Sequence, residues 1–251
     1  MIESKFVFAF LDGLLAEGAE QDYPGALNGL QVEGPEHVGR VGAAVDASEN
    51  VIARAVEESV DLLLVHHGLF WDSERRITGR RFRKLDALIR GGIGVYSSHL
   101  PLDRHPEVGN SALLMRALGL EPAAEFGEWK GQTLGWQTSC DLSRTTLGER
   151  LGDAVGGPVR VFDAGPDTVR TLAVVTGAGA SFLAEAAASG VDTLITGEAP
   201  HHAFHDAREL GVNLMLAGHY LTETWGVRAV ASRLEKEFGL PWVFLDDPSG
   251  L

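Results

Sequence analysis

Two adjacent histidines followed by a glycine, His66-His67-Gly68, come directly after the apolar run Leu62–Val65. Side chains on an extended strand alternate between its two faces, so both imidazoles reach one spot only if the backbone turns between or after them, which Gly68 permits. Imidazole is a ligand for zinc, iron, manganese or cobalt. Taken alone, however, such a pair favours a structural role, with one histidine capping the strand and the other solvated.

Two further histidines are each followed four residues later by a carboxylate: His99 by Asp103, and His219 by Glu223. Pro101 predicts an extended loop that turns the Asp103 carboxylate toward the end of the sheet. If the last helix begins just after His219, then His219 and Glu223 face the same direction. The alternatives are an aspartate that caps a helix and a glutamate that complements the helix dipole.

The histidines as a set favour a metal site. Six of the nine occur in pairs or beside carboxylates at predicted strand ends: His66, His67, His99, His201, His202 and His219. The carboxyl ends of the strands in an open α/β sheet are the edge where ligands bind. Unrelated structural roles explain such a recurrence less well than a shared metal site does.

The elements that must position these side chains alternate along the chain, which predicts an α/β fold with mainly parallel sheets. The predicted strands are Val41–Val45, Asp61–Val65, Gly92–Ser97, Leu172–Thr176, Val191–Thr196 and Val212–Ala217. The predicted helices are a first one ending at Gly18, then Ser48–Glu58, Arg81–Ile89, Ser111–Leu118, Ser181–Ser189, Pro200–Leu210 and Thr222–Phe238.

A boundary between two lobes is expected in the middle of the chain. The segment Ala123–Pro166 is richer in Gly, Thr and Asp and is predicted to be irregular or to contain β-structure. The predicted lobes are residues 1–125, with HHG and HLPLD, and residues 126–251, with GEAPHH and GHYLTE. The final segment of the second lobe is a candidate to pack back on the first.

An internal repeat supports two similar lobes. Ile52–His67 and Leu183–Glu198 align without gaps and share five of 16 residues. A second echo joins Gly91–Asp103 to Gly211–Glu223. Duplication and shared α/β patterning explain these echoes equally well. In the first echo Glu198 aligns with His67, so that it either reaches the site or caps the following helix.

Composition excludes several classes of protein. Thirty-five acidic residues against 21 basic ones give a net charge of −14, which argues against nucleic acid and anionic membranes as partners. The single cysteine, Cys140, cannot form an internal disulfide or a cysteine-based metal site, and a reducing compartment is the default. Because no segment approaches the ~20 apolar residues of a membrane span, we expect a cytoplasmic protein.

Two other segments have alternative interpretations. Residues 74–90, from Glu74 to Arg90, hold seven of the 21 basic residues and two acidic ones. One interpretation is a site for an anionic, phosphorylated substrate. The other is an exposed helix face, with Phe82, Leu85 and Leu88 inward, or a subunit contact. The exposed face is favoured. The run Gly177–Ser181 lacks both GxGxxG spacing and a Walker lysine, and is read as a tight turn.

Taken together, the motifs resemble the Nif-three-like family, whose members are often labelled type-two homologues of GTP cyclohydrolase I. The motifs that carry the resemblance are DLLLVHHGLFW, VYSSHLPLD and AGHYLTE, with NGLQVEG, AAVDAS and TGEAPHH. They follow family order from about Tyr23 to Leu245, and the middle of the chain is too short for the domain that some relatives insert.

The resemblance implies a two-lobed α/β subunit with a dinuclear metal centre in the cleft between lobes, assembled into a ring-shaped homohexamer, a trimer of dimers. By position, the implied metal ligands are His66, His67, Asp103, His219 and Glu223. His99 would act in the cleft as a catalytic or orienting residue, and His201 and His202 would line the cleft. Two divalent ions are implied, with zinc, iron and manganese as candidates.

Hydrolysis of a small, anionic or nucleotide-like substrate is the function this ligand set favours. Five side chains do not saturate two metals, and water bound at an open position loses a proton near neutral pH and attacks an electrophile. His99 could transfer a proton. The alternative is a metal-binding regulatory or metal-chaperone protein without turnover. A ring that surrounds nucleic acid is a third candidate, disfavoured by the negative charge.

Overall fold

The computed structural model describes residues 1–15, 22–71 and 75–251. Its strands are β1 (Ile2–Glu3), β2 (Gly29–Val32), β3 (His37–Val38), β4 (Val41–Asp46), β5 (Leu62–His67), β6 (Gly94–Ser97), β7 (Ala124–Trp129), β8 (Gln132–Ser143), β9 (Arg160–Phe162), β10 (Thr168–Val174), β11 (Thr193–Thr196), β12 (Asn213–Leu216) and β13 (Trp242–Phe244). Its helices are α1 (Ser4–Leu15), α2 (Glu49–Glu57), α3 (Gly79–Gly91), α4 (Leu100–Arg104), α5 (Asn110–Ala117), α6 (Arg144–Val155), α7 (Leu183–Ser189), α8 (Ala203–Leu210), α9 (His219–Thr222) and α10 (Thr224–Phe238). The predicted helix end at Gly18 and the start of the basic segment at Glu74 lie outside the described residues.

The first of two compact units comprises Met1–Leu102 and Gly226–Asp247. Its five-stranded sheet has the order β13-β4-β5-β6-β2, in which the first four strands are parallel and β2 is antiparallel. β4 and β5 are almost entirely buried apolar runs. Helix α2 packs on them through Val51, Ile52 and Ala55. It begins at Ser48, whose side chain accepts a hydrogen bond from the backbone N–H of Val51.

The second unit comprises Asp103–Trp225 and Pro248–Leu251. Its six-stranded sheet has the order β7-β8-β10-β11-β12-β9, in which β10, β11 and β12 are parallel and the other neighbours antiparallel. The predicted irregular middle segment, Ala123–Pro166, forms the β7–β8 hairpin, α6 and β9. Helix α6 was not predicted. It is stabilised by the Ser143 cap and by two buried leucines, Leu147 and Leu151.

The α/β fold predicted from the sequence is confirmed. The sheet of the first unit is mainly parallel, and that of the second is mixed because the middle segment adds antiparallel strands. Each predicted strand and helix overlaps an observed one. The compact units divide the chain elsewhere than the predicted lobes do, since residues 103–125 fall in the second unit and residues 226–247 in the first.

The two internal echoes fall on the same succession of elements in each unit. The first unit runs β4–α2–β5–α3–β6, and the second runs β10–α7–β11–α8–β12, with parallel strands in both. In each, the echoed polar residues lie at or just beyond the carboxyl ends of the strands. Among the described residues, no helix is both long and apolar enough to span a bilayer.

Candidate metal centre

The first unit brings three histidines together. His66 and His67 are the last residues of β5, and His99 follows the neighbouring parallel strand β6. One nitrogen from each ring lies within 4.8 Å of the others. Because neighbouring parallel strands end at the same edge of a sheet, residues more than 30 positions apart become neighbours.

Hydrogen bonds fix the orientation of the two β5 rings. His66 donates from Nδ1 to the carbonyl oxygen of Ser98 at 2.9 Å, and His67 Nδ1 lies 2.9 Å from Oδ1 of Asp46. Asp46 is the residue of β4 directly opposite His67. A carbonyl oxygen or a carboxylate accepts only, so the proton belongs on Nδ1 and Nε2 presents the lone pair of each ring. Metal-binding histidines in proteins are oriented in this way.

His99 is held by Asp22, a residue outside every sequence motif. Oδ1 of Asp22 lies 2.8 Å from Nδ1 of His99, and Oδ2 accepts hydrogen bonds from Nδ2 of Asn28 and the backbone N–H of Leu100. Burial raises the pKa of Asp22, but hydrogen bonds from His99, Asn28 and the backbone of Tyr23 outweigh it and hold that pKa below its usual range. Asp22 is therefore a carboxylate that lies within hydrogen-bond distance of Nδ1 of His99 and orients the ring.

Gly68 follows the last residue of β5 and lies against the side chain of Gln31. It does not have a positive φ, and β5 continues through both histidines. A Cβ at Gly68 would lie 2.4 Å from Nε2 of Gln31. Oε1 of Gln31 accepts a hydrogen bond from the backbone of Leu69 at 2.7 Å. A side chain at Gly68 would displace the Gln31 amide from this hydrogen bond.

The second unit brings together two carboxylates and a histidine. Nε2 of His219 lies 3.1 Å from Oε1 of Glu223, and its Nδ1 lies 3.0 Å from Oε1 of Glu198. Asp103 and Glu223 offer oxygens within 4.8 Å of each other, and both side chains are buried. The predicted facing of His219 and Glu223 is therefore present within this unit, and Glu198 reaches the same ring.

The segment that carries Asp103 is helical, so the predicted extended loop is wrong. Pro101 lies in the first turn of α4, where a missing N–H is tolerated. Oδ1 of Asp103 accepts hydrogen bonds from Nδ2 of Asn110 at 2.8 Å and from the hydroxyl of Thr176 at 3.1 Å. These contacts fix the carboxylate in one orientation.

The electrostatics of His219 are set by its two carboxylates. The hydrogen bond with Glu223 raises the pKa of His219 most; burial opposes this, and Glu198 adds to the rise, giving about 9. The ring is therefore an imidazolium at neutral pH in the metal-free protein. A cation that binds at its Nε2 must first displace a proton.

Two glycines allow the loops of the second unit to pack tightly around this group. Gly177, which begins the predicted tight turn, has a φ of +66°, and a Cβ there would lie 2.3 Å from Oε1 of Glu223. A Cβ at Gly197 would lie 2.6 Å from Cα of His219. The carbonyl oxygen of Gly177 also accepts hydrogen bonds from the backbones of Gly197 and Glu198, both at 2.9 Å.

Two other predicted residues, His201 and His202, are not members of these ligand groups. His201 and His202 are exposed in the turn before α8, and the ring of His201 contacts that of His205 at 5.8 Å. Within the described part of the chain, neither belongs to a group of three metal-binding side chains. The indole ring of Trp71 packs edge-on against the ring of His99, with 4.8 Å between the ring centroids.

Of the carboxylates that orient the histidines, Glu198 was a candidate from the sequence, whereas Asp46 and Asp22 were not. Asp46 carried a usable signal, because it directly follows the predicted strand Val41–Val45, as His66 follows the predicted strand Asp61–Val65. Asp22 carried none, since it lies 77 residues from His99 in the chain.

Comparison with known proteins identifies the family to which the chain belongs. The chain matches the model described as Duf34/NIF3 (NGG1p interacting factor 3) over residues 4–249. A Deinococcus radiodurans protein named GTP cyclohydrolase 1 type 2 homolog is 44% identical over 228 residues, covering 90% of this chain and 87% of that one. An Archaeoglobus fulgidus protein of the same name is 41% identical over 245 residues, 98% of each chain.

Solved structures agree in fold over the whole chain. TTHA1606 from Thermus thermophilus superposes with a TM-score of 0.90 and 43% identity, covering 100% of both chains. The protein ybgI, described as of unknown function, superposes with a TM-score of 0.92 and 34% identity, also over 100% of both chains.

Proposed function

The chain belongs to the Duf34/NIF3 family, and from this premise we propose that it is a hydrolase dependent on two divalent metal ions. The proposed ligands are His66 and His67 of the first unit with Asp103, His219 and Glu223 of the second. The observation that carries the proposal is the anchoring of each imidazole. In His66, His67 and His219, Nδ1 lies within 3.0 Å of a carbonyl or carboxylate oxygen. This arrangement directs Nε2 toward a metal.

Buried carboxylates provide independent support. Asp103 and Glu223 are 6% and 2% exposed, and their oxygens approach within 4.8 Å. Two buried carboxylates at this separation repel each other strongly unless a positive charge lies between them. One imidazolium, His219, neutralises only part of this charge. The oxygen and imidazole donors suit zinc, iron or manganese.

Metal ions in sites with open positions polarise carbonyl or phosphoryl oxygens and make water nucleophilic near neutral pH. The chain's own residues would orient the metal ligands and transfer protons. Asp46 and Glu198 hold the rings of His67 and His219 in place. His99, paired with Asp22, is the proposed proton carrier: Asp22 orients the ring through Nδ1, and Nε2 gives up or takes the proton.

The proposed substrate is a small anionic or nucleotide-like molecule. The support is the name of the relatives, GTP cyclohydrolase 1 type 2 homolog, which points to a purine nucleotide as the first compound to test. Opening the imidazole ring of a purine is a hydrolysis and so falls within the proposed chemistry.

The experiment uses untagged protein, stripped of metal and reloaded separately with zinc, iron and manganese. Turnover is measured across nucleotides, phosphate esters, carboxylic esters and amides. We expect metal-dependent turnover that falls at least about 100-fold in His67→Ala and Glu223→Gln. His37→Ala, which changes an exposed histidine of β3, is the matched control and should keep full activity. Full metal loading with no turnover across the panel would overturn the hydrolase proposal.

That outcome would favour the second candidate, a metal-binding regulatory or chaperone protein. Its supporting observation is that the side chains of His67 and His219 remain 22% and 28% exposed, so bound metal would be open to exchange. A carrier predicts rapid transfer of the metal to an acceptor chelator, whereas a hydrolase predicts retention through many turnovers.

The assembly and location are also proposals, supported by family resemblance and composition. We propose a cytoplasmic homohexamer built as a trimer of dimers. Light scattering on the purified protein should give six times the mass of the 26.9 kDa chain. A monomer at micromolar concentration would exclude it.

A further inference from the structure

A cavity of the second unit has a volume of about 810 Å³. This volume is typical of a site for a small molecule. Its walls include apolar side chains from several parts of the chain: Val159, Leu216, Leu221 and Pro248. Two charged side chains of opposite sign, Arg160 and Glu198, also line it.

The cavity lies at the edge of the sheet where ligands bind. β11 and β12 are parallel and end at Thr196 and Leu216, which are partners in the ladder. β9 runs antiparallel to β12, so its first residue, Arg160, pairs with Leu216 at the same edge. The cavity therefore opens at the carboxyl ends of two parallel strands, the usual ligand position in an open α/β sheet.

Arg160 and Glu198, which both line the cavity, lie two strands apart along this edge of the sheet. Arg160 belongs to β9 and Glu198 follows β11, with β12 between them. Two strand spacings separate these positions by roughly 10 Å. Glu198 repels an anion, whereas the exposed guanidinium of Arg160 attracts one, so the anionic group of a ligand is favoured near Arg160.

One end of the cavity adjoins the proposed metal site. Glu198 lines the cavity and also lies 3.0 Å from Nδ1 of His219. A ligand whose anion pairs with Arg160 would thus place its far end one hydrogen bond away from a proposed metal ligand. The apolar walls between the charges would contact the body of that ligand.

We propose that this cavity binds the body of the substrate, a small molecule with an apolar part and a terminal oxyanion that pairs with Arg160. That the bound molecule is a substrate rests on the hydrolase function proposed above, but the binding site itself does not require bound metal. Recognition of the anion is thereby assigned to Arg160 instead of to the basic segment 75–90.

The first test measures binding to the metal-free protein with two fluorescent probes, anilinonaphthalene sulfonate and the uncharged phenylnaphthylamine. Arg160→Gln should weaken the sulfonate about tenfold, the loss of one charge-assisted hydrogen bond, and change the neutral probe less than about twofold. Arg170→Gln, which changes an exposed arginine of β10 paired with Asp141, is the matched control and should change neither. Val159→Trp should fill the cavity and weaken both probes.

If Arg160→Gln binds both probes with the affinity of wild type, the inference is overturned. Unchanged binding of both probes in a folded Val159→Trp would overturn it as well. A second test uses any compound that the panel shows to be hydrolysed. It should displace the sulfonate probe, and Arg160→Gln should raise its KM about tenfold while kcat stays within about twofold. A substrate that is turned over without displacing the probe overturns the cavity assignment and leaves the hydrolase proposal intact. A protein that binds the probes normally but does not bind metal overturns the hydrolase proposal and leaves the cavity assignment intact.

Discussion

Gly177 leaves no room for a side chain beside Glu223: a Cβ at Gly177 would lie 2.3 Å from Oε1 of that carboxylate. The backbone of Gly177 also has a positive φ of +66°, which favours glycine. The loop that follows β10 therefore sets the position of the glutamate that contacts His219. A run read from the sequence as a tight turn has a positioning role.

Gly177→Ala should weaken metal binding about 10- to 100-fold, the loss typical when the surroundings of a ligand are disturbed. The displaced Glu223 is the cause. Backbone strain should also lower the free energy of unfolding by at least about 1 kcal/mol. Gly190→Ala separates the two effects, because Gly190 has a φ of +77° and a Cβ there would have no atom within 4 Å. It should lose similar stability and bind metal normally. Equal metal affinities in the two variants, measured against a chromophoric chelator, would refute the positioning role.

Asp46→Asn should weaken metal binding about 10- to 100-fold, because the carboxylate that holds Nδ1 of His67 is replaced by a neutral amide. The measurement is the same chelator competition, at one fixed pH. Asp86→Asn, in which a surface aspartate paired with Arg90 is changed in the same way, provides the control. Unchanged affinity in Asp46→Asn would mean that His67 is oriented by other contacts or is not a ligand.

Metal binding near neutral pH should release about one proton from His219, because its pKa of about 9 keeps the ring protonated in the metal-free protein. Affinity should therefore rise with pH and level off above about 9. Calorimetry in buffers with different ionisation enthalpies measures the release directly. Binding heats that do not depend on the buffer would contradict the assignment of His219 as a ligand that must lose its proton.

Arg83→Gln should leave affinity for anionic substrates or probes within about twofold of wild type. The guanidinium of Arg83 already pairs through two nitrogens with the carboxylate of Glu49. Two other cations of the basic segment are likewise engaged, Lys84 with the carbonyl oxygen of Ala47 and Arg90 with a carboxylate of its own helix. A selective loss of anion affinity would restore the anion-site interpretation of this segment.

The sequence predicts strands well where apolar residues are continuous, as in Leu62–Val65, because such a run is stable only when it is buried on both faces. It predicts α6 poorly because Gly148 and Gly152 lower helix propensity, which the burial of Leu147 and Leu151 offsets. It also predicts that Phe82 and Leu88 both point inward. Leu88 is buried, whereas Phe82 is half exposed. Local pattern defines the elements but not the exact face that each presents.

The candidate ligands and one partner, Glu198, could be identified from their positions at strand ends, whereas Asp22 could not. Asp22 shows why: its carboxylate orients His99 and also accepts the backbone N–H of Leu100, the first residue of α4. This distant cap accounts for the helix that replaces the predicted extended loop around Pro101. Contacts between residues so far apart in the chain leave no local signal.

Elemental analysis of the untagged protein, reloaded with zinc and desalted, tests the central claim most directly. We predict two ions per chain, with a loss in both His67→Ala and Glu223→Gln and full content in His37→Ala. A wild-type content below one ion per chain, or full content in a folded double variant of His67 and Glu223, would contradict a dinuclear centre formed by these side chains.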